Sequence, residues 1–176
     1  MKSPVTDTCD LNRELPPDAP DAPQWLVDAL QVPREEGWVT SGGCNVHYFR
    51  WGDPANPPLL LMHGFLAHAR CMAFIAPFLA EQYHVVAYDL SGMGDSGARS
   101  SYPDDTRAQE VVDVARETGL FDHAIKPIVI AHSYGGHVGL VAMNDFHELF
   151  DGLVVCDLMV LRPERLKAHF AGGRPM

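Results

Sequence analysis

Ala131-His132-Ser133-Tyr134-Gly135 decides how the chain is read. It follows an apolar run, Lys126 to Ala131, and precedes a helix-like run, Gly136 to Met143. Strand, serine in a tight turn, then helix make a nucleophile elbow. A strand that turns at once into a helix forces the serine into a strained backbone conformation. Residues two before and two after it are expected to crowd together, so both must be small, and here they are Ala131 and Gly135. The strain lifts the Ser133 hydroxyl to the top of the sheet. It also places the Tyr134 N–H at a helix start, where it stabilises negative charge.

Two further stretches agree. Pro58 to Met62 is a buried-strand run ending in His63-Gly64-Phe65. A glycine there lets the backbone turn and present the Phe65 N–H toward the serine. Phe65 and Tyr134 are thus the expected oxyanion-hole donors. Loss of one such donor costs about two to three powers of ten in rate. The second stretch, Val85 to Ser96, is a strand ending at Asp89 followed by the glycine-rich turn Gly92-Met93-Gly94.

With these three motifs, from about Gly37 to about Leu161, the chain resembles the α/β-hydrolase fold family. The likeness is strongest to the soluble esterase, C–C hydrolase and haloperoxidase-like members. It implies a three-layer α/β core with a mostly parallel sheet, about six strands present, a serine nucleophile and no cofactor. Haloalkane dehalogenases and epoxide hydrolases of this fold carry an aspartate at the elbow, and Ser133 argues against both.

Length and composition set outer bounds. With 176 residues and 47% apolar content the chain suffices for one domain with a real core. A net charge of −10 gives no electrostatic basis for binding nucleic acid or anionic membranes. Cys9, Cys44, Cys71 and Cys156 fit neither zinc-ribbon nor Cys-x-x-Cys spacing. Cys156, in an apolar run, is expected as a core thiol. The amino terminus shows no apolar signal region, and a cytoplasmic location is expected.

Three divisions are expected: a proline-rich arm and short helix at 1–36, the hydrolase core at 37–161, and a cap or linker segment at 162–176. Helices are predicted over Gln24 to Gln31, Cys71 to Gln82, Thr106 to Thr118 and Tyr134 to about Phe150. Strands are predicted over Gly37 to Ser41, Asn45 to Trp51, Leu59 to Met62, Val85 to Leu90, Ile128 to His132 and Leu153 to Val160. Strands alternating with helices imply parallel pairing.

The resemblance also implies elements that the sequence does not supply. In the family two more strands follow the sixth, and the order is serine, acid, histidine. The chain is therefore expected to be carboxy-terminally incomplete, with an unpaired apolar edge on its last strand that invites self-association. His132 is expected to point away from Ser133 as a packed core residue, because strand neighbours face opposite sides. His137 is expected to face the sheet or solvent, and His63 to hold the oxyanion loop. His47, His68, His84, His123 and His147 are expected on the surface or in loops. His169 is the one late histidine, and Asp157, near the end of the sixth strand, is the one candidate for the triad acid. Each stays open against a purely structural role, Asp157 as a residue that bonds loop amides. Asp89 is expected to cap the Gly92 loop. No helical histidine pair suggests a metal.

Three functions stay in view. The first is a serine hydrolase cleaving a small apolar ester or related carbonyl substrate through Ser133, weak or inactive as this chain alone. Met62, Phe65, Leu66 and Tyr134 would line its mouth. The second is a non-catalytic hydrolase fold that binds a ligand or partner chain. The third is a cofactor-free haloperoxidase or C–C bond hydrolase.

Overall fold

The computed structural model describes residues 6–7 and 22–158. Seven strands form one sheet: β1 (Thr6–Asp7), β2 (Arg34–Ser41), β3 (Cys44–Trp51), β4 (Pro58–Met62), β5 (His84–Tyr88), β6 (Ile128–His132) and β7 (Gly152–Cys156). Their order is β1-β2-β3-β5-β4-β6-β7. β1 to β3 are antiparallel and β4 to β7 parallel to one another, with β3 joining β5 antiparallel. The β2–β3 hairpin turns at Gly42 and Gly43, with φ of 50° and 78°. A two-residue turn left-handed at both positions matches the twist of its strands, and glycine adopts it freely.

β4 and β5 are buried at every position because both faces are covered. One face packs on α3 (Asp104–Glu117) and α4 (Tyr134–Phe146), joining Leu60, Val86 and Val129 to Val111, Ala115 and Ala142. The other packs on α1 (Gln24–Gln31), a 3-10 turn over Ala69–Met72 and α2 (Ala76–Ala80), joining Leu59, Leu61 and Val85 to Leu30, Ala73 and Ala76. This is the expected three-layer α/β core. β4 is flanked by β5 on one side and β6 on the other, so the chain leaves it in both directions. In such sheets sites lie at the carboxyl ends of the strands, where the order reverses.

The structure departs from the sequence expectations in several places. The helix predicted over Cys71 to Gln82 is a 3-10 turn followed by the short α2. Pro77 lacks an N–H and its ring excludes a helical carbonyl four residues earlier, so a helix can start beside it but not run through it. Phe74, Ile75 and Phe78 consequently stay exposed. β1 adds an edge pair inside the segment expected to be an irregular arm, and β2 begins at Arg34, before the expected boundary at residue 37. The last strand ends at Cys156, and residues 159–160 of its expected span, like the cap or linker segment expected at 162–176, lie outside the described residues. Cys156 is exposed, not a core thiol, because it lies on a face of β7 that carries no helix among the described residues. His47 and His84 are buried within strands, against a surface or loop expectation.

Candidate active site

Ser133 connects β6 to α4 with φ 50° and ψ −115°. This left-handed conformation is unusual for a residue with a Cβ. Its N–H donates to the Cys156 carbonyl (2.8 Å), and its carbonyl accepts from the Gly136 N–H (2.8 Å), so the turn is bonded on both sides. The first N–H groups of α4, that of Tyr134 included, have no acceptor within the helix. Gly135 is required, though not for the expected reason. A Cβ there would lie 2.5 Å from the His63 carbonyl oxygen and 3.1 Å from Met62 Cβ, so the end of β4 does the crowding.

The loop after β4 closes on the elbow. A Cβ on Gly64 would lie 3.3 Å from Ser133 Cβ and 2.9 Å from His132 Nδ1. Leu66 sits at φ 55°. The Phe65 and Tyr134 rings meet edge to face at 5.7 Å, which brings together the two residues expected to supply the oxyanion donors. His63 holds this loop. Its Nδ1 donates to the Gly64 carbonyl (2.7 Å), and its Nε2 accepts from the Leu90 N–H (3.0 Å). Burial pushes the His63 pKa below the ordinary histidine value, which suits a neutral ring with one donor and one acceptor. Met62 is fully buried and lines no mouth, whereas Phe65 and Leu66 are exposed.

Asp89 organises the loops beyond β5. One oxygen accepts from the Ala69 N–H (2.5 Å), the other from the Asp95 N–H (2.9 Å) and from His47 Nδ1 (2.8 Å). Burial pushes its pKa up, but these hydrogen bonds outweigh it and hold the carboxyl below the usual range. Gly94, at φ 54°, passes directly over the carboxylate, where a side chain has no space. His47 Nε2 meets Glu36 Oε1 at 2.8 Å. Glu36, His47 and Asp95 are the one group among the described residues with metal-like spacing. Their atoms are already engaged, since Glu36 bonds His47 and Asp95 bonds Arg70 Nη1 (2.6 Å).

The histidine and acid candidates do not gather at the serine. No hydrogen bond joins the Ser133 hydroxyl to a histidine among the described residues. His132, expected to point away as a packed core residue, is exposed and meets Asp157 at 3.9 Å. Asp157, at φ 54°, has an almost wholly exposed side chain. His137 is exposed, stacks on Tyr134 and meets Asp104 at 3.1 Å. His169 lies outside the described residues. An apolar cavity of about 450 Å³ opens behind Gly64, lined by His63, Phe74, Ile75, Ile130, His132 and Cys156. Ser133 does not line it.

Two features escaped the sequence reading. One is the Glu36–His47–Asp89 chain. Its signal was weak, since β3 alternates loosely and a histidine there gives no hydrophobic mark. The other is Glu110, wholly buried on α3, which accepts from the Ser91 N–H and from Arg99 (each 2.9 Å). A lone glutamate in a helix reads as solvated, and only the fold brings Arg99 to it.

Comparison with known proteins agrees with this fold. The model of the alpha/beta hydrolase family matches residues 59–176, and the chain belongs to that family. An uncharacterized hydrolase, YugF, of Bacillus subtilis (strain 168) is 29% identical over 120 residues, which span 66% of this chain and 42% of that protein. A soluble epoxide hydrolase of Corynebacterium sp. (strain C12) is 32% identical over 118 residues, spanning 66% of this chain and 39% of that protein. Among solved structures, 2-hydroxy-6-oxo-6-phenylhexa-2,4-dienoate hydrolase from Rhodococcus sp. strain RHA1 superposes with a TM-score of 0.64 at 30% identity, over 78% of this chain and 53% of that one. The chain thus spans about half or less of the length of these relatives. No helix among the described residues is long and apolar enough to cross a membrane.

Proposed function

We propose that the chain carries the nucleophile and oxyanion elements of a serine hydrolase acting on a small apolar ester or related carbonyl compound. The observation that carries this is a serine, not a glycine, held at φ 50° and ψ −115° where β6 meets α4. A residue kept in that conformation marks a functional turn. Ser133 Oγ adds to the substrate carbonyl, and the Phe65 and Tyr134 N–H groups receive the oxygen that becomes negative. A histidine takes the hydroxyl proton and passes it to the leaving alcohol, and water then releases the acyl group. That histidine and its acid come from outside the described residues, His169 among the candidates, or from a second chain. Epoxide opening has support in the named relative, but family members that open epoxides use an elbow carboxylate, and serine stands here. Among the described residues β7 is an edge strand, which adds a proposal about partners: the chain self-associates there.

A fluorophosphonate probe tests the nucleophile. Intact mass should show one adduct in the natural chain and none in Ser133→Ala. An absent adduct would overturn the enzyme reading and leave a binding fold.

A further inference from the structure

The loop from His63 to Ala69 is fastened to the end of β5 at both of its ends. At one end Leu90 donates to His63, and at the other Ala69 donates to Asp89. The second fastening depends on how the Asp89 carboxylate is turned. The same carboxylate takes the Asp95 N–H, which fixes the Gly92–Gly97 loop. A carboxylate with this many bonds still has freedom to rotate unless its remaining lone pairs are also held.

His47 supplies that restraint. It is fully buried, wedged between Trp38 at 5.0 Å and the edge of Phe49 at 4.7 Å. Each ring nitrogen faces a carboxylate oxygen at 2.8 Å, Asp89 on one side and Glu36 on the other. An ionised carboxylate only accepts, so with both carboxylates ionised each ring nitrogen donates to its partner. Charge-assisted bonds of this kind are about twice as strong as neutral ones. The backbone closes the same unit, since the His47 N–H donates to Ser96 Oγ and Ser96 Oγ donates to the Asp89 carbonyl. Two arginines lie over Phe49 here, Arg34 at 4.4 Å and Arg70 at 5.2 Å from the ring centre, and Arg70 is also 2.6 Å from Asp95. It anchors the neighbouring turn without touching Asp89.

We propose that His47 is a positioning residue: bridging Glu36 and Asp89, it locks the carboxylate that pins both loops and so holds the Phe65 oxyanion donor in place. The catalytic part of this role rests on the serine-hydrolase reading above. The loop-pinning part does not.

Amide hydrogen exchange at fixed pH separates the two. His47→Leu fills the space with no donor, whereas His47→Asn keeps an amide N–H near the Nδ1 position. Exchange at Ala69 and Asp95 should rise tenfold or more in the leucine variant and return close to the natural rate in the asparagine variant. Amides of the sheet centre, such as Leu60 and Val129, should stay unchanged in both. A residue that merely fills space predicts the opposite order. The natural chain gives a reading that needs no variant: a ¹H–¹⁵N spectrum should show two hydrogen-bonded ring N–H protons for His47, and a single one overturns the proposal. Fluorophosphonate labelling should slow tenfold or more in His47→Leu and recover in His47→Asn. No labelling of the natural chain would sink the hydrolase reading while the exchange data still judge His47.

Discussion

A methyl group at position 135 would press on backbone, not on a side chain that can swing away. Its nearest atoms are the His63 carbonyl oxygen at 2.5 Å and Met62 Cβ and carbonyl oxygen, both at 3.1 Å. Relief requires α4 or the end of β4 to move, and overpacking of this kind costs about 1–3 kcal/mol. Gly135→Ala should lower the urea midpoint accordingly, and an unchanged midpoint would show that the turn has slack. His84 offers a second test at the same scale. Burial, aided by the nearby Arg50 and His123, lowers its pKa from 6.5 to about 4. In the unfolded chain the ring takes up a proton near pH 6.5; in the folded chain it does so only near pH 4. Stability from this group is therefore complete above pH 6.5 and drains away as pH falls toward 4. Thermal unfolding followed from pH 7 to pH 4 should show the loss, and His84→Phe should flatten it. An equal slope in the variant would assign the loss to other groups.

At the scale of elements, what could be read early was what repeats or punctuates. β4, β5 and β6 announce themselves as apolar runs closed by His63-Gly64, Asp89 and Ser133. α3 shows in the spacing of Val111, Val112, Val114 and Ala115, and ends before Gly119 at φ 81°. Ser133, Phe65 and Tyr134 stand out as candidates because the elbow and the oxyanion loop each need a fixed residue type at a fixed step from a strand end. The rest depends on partners far away in sequence. Phe74, Ile75 and Phe78 have helical spacing, and Pro77 overrules it. His47 gains its meaning only when β3 pairs with β5 and brings Asp89 alongside, forty-two residues away. Strand alternation puts His132 on the face of Ile130, but neither its exposure nor that of Cys156 followed, since alternation says which face a side chain takes and not what covers it.

For the whole molecule, the two faces of the sheet are unequal. Leu153 and Val155 turn toward α4, close against Gly139 and Gly136. Val154 pairs in register with Ile130, and Cys156 with His132, so these four share the other face. Beside them Trp25, Phe74, Ile75 and Phe78 are each between 42% and 51% exposed. The result is an apolar surface that runs from α2 across the cavity to the edge of β7. Contiguous patches of this kind mark interaction sites, and among the described residues β7 is the edge strand of the sheet. Burial of apolar area returns about 25 cal/mol per Å², so a face this continuous favours association once concentration offsets the entropy of pairing. Light scattering after size exclusion should show a mass that rises with protein concentration. Val154→Lys puts a charge on the shared face without touching α4, and should hold the chain at monomer mass through the same range. A natural chain that stays monomeric at several hundred micromolar would refute pairing at β7, and a lysine variant that associates equally well would place the contact elsewhere on the surface.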